Sequence, residues 1–296
     1  LIAAWILALG AAFFYGLALV LSQFGLKHRS PIEGASISVP TAALFFLCLA
    51  PFLIDFSGFH LKAFGVFIGI GVLFPGTVTL LTFVANHRMG ATVAGAIGNL
   101  TPLFAILFAI LIFKEAFGFV QAVGISVIIA GVTLLTLSRN GNSSSWPLWV
   151  ILLPLSGAAV RGLMQPGVKW GLEFWPEPLA AVTIGYVVSS LFILTVAFIR
   201  RQIFTVPQID AGKKMPGIIW FVAVGFCNGI AVLLTYEALT VGNVTLVSPL
   251  IATYPLVTLV LSGLFLRNAH WNPRIVTGIL ATVAGVGILL GGERFL

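Results

Sequence analysis

Charge is the first thing this sequence lacks. Acidic and basic side chains make up only 8% of the 296 residues, eight acids against fifteen bases, and the mean hydropathy is +1.13. Soluble globular domains carry about 25% charged residues, so this inventory cannot cover a water-facing surface, and a soluble fold is excluded. Cysteine is nearly absent as well. Cys48 and Cys227 each stand inside an apolar run, which reads as two small packing residues and not as a disulfide or a thiolate site. The four histidines (His28, His60, His87, His270) all fall at the ends of apolar segments, so no metal-ligand cluster is present and no metal or other cofactor is expected. The net charge of +7 is spread over short connections. That is how membrane topology is written, and it gives no basis for a nucleic-acid partner.

What the sequence does have is long, continuous apolar runs. About 20 residues at 1.5 Å each cross a hydrocarbon core of about 30 Å. Reading between polar interruptions gives ten helical spans, near 2–26, 31–54, 61–85, 90–113, 116–137, 147–170, 178–199, 215–239, 243–266 and 273–292. The runs lack the alternation of barrel strands, so the expected class is an all-α integral membrane protein in a lipid bilayer. The first run is too long and too glycine-rich for a cleaved signal peptide. The bases place the connections. Those after odd-numbered spans hold Lys27, Arg29, Arg88, Arg139, Arg200, Arg201, Lys213, Lys214, Arg267 and Arg274; those after even-numbered spans hold Lys62, Lys114 and Lys169. By the positive-inside rule the odd connections face the cytoplasm and both termini lie outside.

The ten spans divide five and five at the polar stretch 139–146, so the expected units are 1–138 and 147–296. A search for duplication supports that division. LALGAAFFYGLALVLSQFGL (7–26) aligns with LPLSGAAVRGLMQPGVKWGL (153–172) at an offset of 146, with Gly16 on Gly162, Gly25 on Gly171 and Tyr15 on Arg161. Later, Gly90 with Pro102 answers Gly242 with Pro255, and Ala130-Gly131 answers Ala284-Gly285, the offset drifting to 154. Five spans per unit is an odd number, so the second unit enters the membrane from the opposite side. Such inverted repeats are typical of secondary transporters, whose halves exchange shapes around a midplane site.

The stretch GATVAGAIGNLTPLFAILFAILIFKEAFGFVQAVGISVIIAGVTLL (90–135), with Pro102, Glu115, Gln121, Gly124 and Gly131-Val132, resembles the EamA module of the drug/metabolite transporter superfamily. The second unit keeps Pro255, Gly278, Gly285-Val286 and YEAL (236–239), and departs at Arg267-Asn268, where the module's Glu is missing. The resemblance implies ten helices in two EamA repeats, a central cavity, and export or exchange of small metabolites such as amino acids. It also implies cytoplasmic termini, contrary to the charge count.

The residues that could meet a solute are polar side chains inside spans, several of them beside prolines. They are Tyr15, Asn99 and Thr101 beside Pro102, Arg161 and Gln165 between Pro154 and Pro166, Asn228, and Thr253 and Tyr254 beside Pro255. A proline removes a backbone donor and frees carbonyls, which a membrane tolerates where protein or a wet cavity receives them. The plainer reading is hydrogen bonding between neighbouring helices, worth about 0.6 kcal/mol each. Arg161 stands about 15 residues, or about 22 Å, into its helix. At that depth it either faces a cavity or snorkels to the interface. In a cavity its guanidinium offers a bidentate partner for a carboxylate or phosphate. The first span holds no acid, which weakens proton coupling through that helix. The expected function is a secondary transporter of small organic metabolites, amino acids or related metabolites foremost, acting as an exporter or exchanger in the plasma (inner) membrane if the cell is bacterial. A monomer suffices for that function. Two alternatives stay open: a carrier of phosphorylated or sugar-linked solutes, and an integral membrane enzyme acting on lipids, for which no constellation of acids, histidines or nucleophiles is present.

Overall fold

A computed structural model describes residues 2–98, 100–115, 118–137, 147–203, 214–266 and 273–292, and the regular structure among them is helical. The linker expected at 139–146 lies outside the described residues. Twelve α-helices follow in order: α1 (Ile2–Leu26), α2 (Pro31–Leu53), α3 (Leu61–Leu73), α4 (Gly76–Gly98), α5 (Thr101–Phe113), α6 (Phe119–Leu137), α7 (Leu152–Phe174), α8 (Pro178–Ile203), α9 (Lys214–Val241), α10 (Val244–Ile251), α11 (Tyr254–Leu266) and α12 (Pro273–Gly292). Local chemistry sets several of the boundaries. Ser30 and Glu33 form a reciprocal capping box, with Pro31 in the first turn, so α2 starts directly after α1 ends.

Among the described residues, five stretches are long and apolar enough to cross a membrane: Ala3–Leu26, Pro31–Leu53, Leu61–Ala85, Pro178–Ile199 and Gly217–Val241. Shorter apolar helices at Thr101–Phe113, Phe119–Gly131, Val244–Thr258 and Thr277–Val286 accompany them. The ten-span reading is therefore matched in number only in part. The ninth expected span is two helices, α10 and α11, parted at Ala252–Thr253. The expected gap between the third and fourth spans, at 86–89, falls inside α4; the chain instead breaks at Phe74–Pro75, a cis bond, and again between Gly98 and Thr101. The reason is physical. Asn86, His87 and Arg88 are polar, but helix hydrogen bonds do not depend on side-chain polarity, whereas Pro75 and Pro102 each remove a backbone donor.

The two halves make the same contacts. Gly16 of α1 packs on the Tyr254 carbonyl and Val257 of α11, and Gly162 of α7 packs on the Thr101 carbonyl and Phe104 of α5. Gly71 of α3 meets Gly185 and Val188 of α8, and Gly225 of α9 meets Ser38 and Thr41 of α2. Gly131 of α6 sits against Gly278 and Thr282 of α12, while Gly285 sits against Gly124 and Ile128, so α6 and α12 pack antiparallel. Each pair relates positions 146 to 154 residues apart, the same offsets as in the sequence alignment. These approaches need glycine. A methyl group on Gly162 would stand 2.5 Å from Phe104 Cβ, and one on Gly16 would stand 2.7 Å from Val257 Cβ. Without a hydrophobic drive between helices in lipid, such close backbone packing supplies the cohesion.

Candidate functional site

Helix α7 is the least apolar of the long helices. It carries Arg161, Lys169 and Glu173 within 23 residues, yet it buries Pro154, Ala158, Gly162, Gln165 and Val168. Such a helix is surrounded by protein, and here it forms one wall of a central cavity. The cavity is lined by α1, the Phe74–Pro75 break, α4, the Gly98–Thr101 break, α7, α8, α9, α10 and Tyr254. The cavity begins near the end of α1, at Ser22, and the start of α7, at Pro154. It runs inward past Tyr15, Arg161 and Asn228 to Gln165, Tyr186 and Ser248.

Of the residues expected from the sequence, Tyr15, Thr101, Arg161, Gln165, Asn228, Tyr254 and Pro154 line this cavity. Thr253 is buried behind it and donates to the Leu250 carbonyl at 2.7 Å. Pro102, Pro166 and Pro255 are buried without lining it. Asn99 lies outside the described residues. Arg161 and Tyr15, equivalent positions of the two halves, thus face one space. Arg161 Nη2 donates to Thr82 Oγ1 at 3.4 Å, the Tyr254 hydroxyl approaches the same guanidinium, and the Tyr15 hydroxyl reaches Thr235. Arg161 is the one charged residue among the lining residues, and no described carboxylate lies within 4.0 Å of it. A guanidinium without a carboxylate partner has the geometry and charge to take an anion.

Sequence reading missed Tyr186, Ser248, Thr82 and the Phe74–Pro75 break, all of which line the cavity. Ser248 precedes Pro249 and so carried the same signal as Thr101 and Tyr254. Tyr186, inside an apolar run, carried none.

A polar cluster links the end of α5 to α7 and to the start of α10. Lys114 ends α5 in the left-handed conformation at φ 52° and turns Glu115 toward α10. The Glu115 carboxylate accepts from the backbone N–H groups of Val244 (3.1 Å) and Thr245 (3.0 Å) and from Lys169 Nζ (3.0 Å). Lys169 also donates to the Gly242 carbonyl at 3.3 Å and to Asn243 Oδ1 at 3.2 Å. Glu115 thus satisfies two orphan donors at the start of α10, where the helix dipole favours a negative charge. Burial pushes its carboxyl up, but the Thr245, Lys169 and Val244 donors together outweigh burial and hold it below the usual carboxylate range. The ion pair joins the end of α5 in the first half to α7 and α10 in the second. Gln121, another residue of the EamA resemblance, accepts from the Gly118 N–H at 3.0 Å and opens α6.

Comparison with known proteins bears on what such a cavity is for. Residues 2–137 and 148–291 each match the model of the EamA-like transporter family. An uncharacterized transporter of Methanothermobacter thermautotrophicus is 29% identical over 129 residues, 44% of this chain and 38% of that protein. A chloroplastic WAT1-related protein of Arabidopsis thaliana is 24% identical over 95% of this chain and 68% of its own length. One protein of known crystal structure superposes with a TM-score of 0.79 over 99% of this chain and 98% of that one; at 15% identity, this shows the fold alone.

Proposed function

The chain belongs to the EamA-like transporter family, and from that premise we propose that it is a secondary transporter of small organic metabolites bearing an acid group, amino acids foremost, exporting or exchanging them by alternating access. The observation that carries this reading is Arg161, a cation in the cavity with no carboxylate beside it among the described residues. The acid group of the solute supplies the missing charge, held by the guanidinium with Thr82 and Tyr254 alongside. A single cation suits a monoanion better than the phosphate groups of a sugar-phosphate carrier, which call for several bases.

Alternating access is supported by the repeated contacts of the two halves. The antiparallel pairing of α6 with α12 is what an inverted repeat requires, and broken helices at the cavity are the usual construction of a midplane site. In a bacterial cell its place is the plasma (inner) membrane, where a monomer suffices. Testing calls for uptake of a panel of radiolabelled amino acids and organic acids into proteoliposomes, with and without a pH gradient. The wild-type protein moves one or more acids, and Arg161→Gln protein of normal folding loses at least about tenfold in apparent affinity, as expected when a charge-assisted bidentate contact is removed. Unchanged affinity in that variant contradicts the role given to Arg161.

A further inference from the structure

The inner end of the cavity has a chemistry of its own. Gln165 of α7, Tyr186 of α8 and Ser248 of α10 are 6%, 2% and 2% exposed, all line the cavity, and Gln165 Oε1, the Tyr186 hydroxyl and Ser248 Oγ have no hydrogen-bond partner. This departs from the habit of the surrounding helices. Buried hydroxyls there bond to the carbonyl one turn back: Thr183 to Leu179 at 2.6 Å, Ser190 to Tyr186 at 2.7 Å, Thr235 to Ala231 at 2.8 Å. Ser248 is a helical residue with the same option and does not take it. Ser38 Oγ is also unpartnered, but it lies outside the cavity lining, alone, on α2. Three unpaired polar atoms from three helices at one end of one cavity are a different matter, because buried polar groups are paired in native proteins.

We propose that Gln165, Tyr186 and Ser248 form a second recognition point, which takes an uncharged hydrogen-bond donor, an amide or a hydroxyl, on the far end of a solute whose acid group sits at Arg161. This rests on the reading of the cavity as an anion carrier. The far end is uncharged because, among the described residues, no acid lines the cavity and Arg161 is its sole base; an ammonium or a second carboxylate there would be buried without a counter-charge, whereas the α-ammonium of an amino acid lies beside its own carboxylate at Arg161. It carries a donor because Gln165 presents a carbonyl oxygen, which only accepts. The spacing sets the length. Gln165 is one helical turn beyond Arg161, about 6 Å along the axis, the reach from the carboxylate to the side-chain amide of a five-carbon amino acid. Phe74, Val78 and Ile251 also line the cavity, so part of its wall is apolar.

Five probes built on the glutamine framework separate the contributions: glutamine, norvaline, glutamate, ornithine and 4-aminobutanamide, the last being glutamine without its carboxylate. Binding to the full chain in detergent is measured by calorimetry. Glutamine binds at least about tenfold more tightly than norvaline, because a site with buried polar groups rejects an analogue that leaves them unpaired. Glutamate, ornithine and 4-aminobutanamide all bind more weakly than glutamine. In Gln165→Leu and in Ser248→Ala the glutamine-to-norvaline affinity ratio falls toward one; the small Ser248→Ala change serves if the leucine variant does not fold. Equal affinity of the wild-type protein for glutamine and norvaline overturns the second recognition point, as does a ratio that survives both substitutions or a tighter grip on glutamate or ornithine. The underlying anion reading fails separately, if no acid of the set binds or if Arg161→Gln leaves their affinities unchanged.

Discussion

Arg161 and Glu115 show how one charge acquires meaning from its surroundings. Both were visible in the sequence, Arg161 as a cation in an apolar run and Glu115 as part of the EamA resemblance, but only Arg161 announced a site. A permanent charge in a span has few tolerable destinations, so its presence alone narrows the choice to cavity or interface. Glu115 stands at a helix end, where acids are common, and its partners on α7 and α10 are more than 50 residues away in sequence. Tyr186 was illegible because nothing beside it in the sequence marks it, and Ser248 carried only the signal of its neighbouring proline. A serine in a helix ordinarily bonds its own backbone, and only the three-dimensional placement shows that Ser248 does not. The Glu115 cluster makes a pH prediction. A carboxyl whose pKa is lowered on folding adds stability that is full at neutral pH, declines from the ordinary carboxylate range downward, and is gone below the lowered pKa. Melting temperatures of wild-type and Glu115→Gln protein in detergent should differ by a few degrees at pH 7, at about 2–4 °C per kcal/mol, and converge as acid is added. A gap independent of pH removes the ionised Glu115 from the account.

Among elements, the glycine contacts carry both cohesion and the repeat. The pairs Gly16/Gly162 and Gly131/Gly285 were legible as a duplicated pattern, and the structure assigns each its neighbour on another helix. Where the helices break was less legible. Polar residues at 86–88 suggested a gap, but helix continuity is decided by backbone donors, and the proline at 75 read as one more residue of a span. The division of the ninth span into α10 and α11 was half legible, since Pro255 marked the place without showing that Ala252 and Thr253 leave the helix. A matched pair of substitutions tests the packing. A methyl group on Gly162 meets Phe104 Cβ at 2.5 Å and the Thr101 carbonyl oxygen at 3.0 Å, whereas one on Gly65 of α3 meets nothing within 4 Å. Gly162→Ala should cost about 1–3 kcal/mol by overpacking, and Gly65→Ala should be neutral or stabilising by up to about 1 kcal/mol through helix propensity. Thermal denaturation in detergent reads both, and equal effects would deny the α5–α7 contact its role.

On the scale of the whole molecule, a duplicated helical bundle encloses one asymmetric cavity. The halves make matching contacts, but the positions lining the cavity do not match. Tyr15 stands opposite Arg161, and the acid at Glu115 has no counterpart in the second half, where Arg267 and Asn268 replace it. The frame was readable from the sequence because duplication leaves the same small residues at the same spacing. The grouping of Gln165 with Tyr186 and Ser248 was not, because the three come from α7, α8 and α10 and share no local pattern. The central claim is that a solute bound at Arg161 is carried by a protein that opens to one side at a time. Counterflow tests it directly: proteoliposomes loaded with unlabelled glutamine are diluted into a trace of radiolabelled glutamine, beside protein-free and Arg161→Gln controls. Alternating access through this cavity predicts transient accumulation of label above its external concentration in wild-type vesicles alone. Simple equilibration without overshoot, or an overshoot of equal size in the Arg161→Gln vesicles, contradicts it.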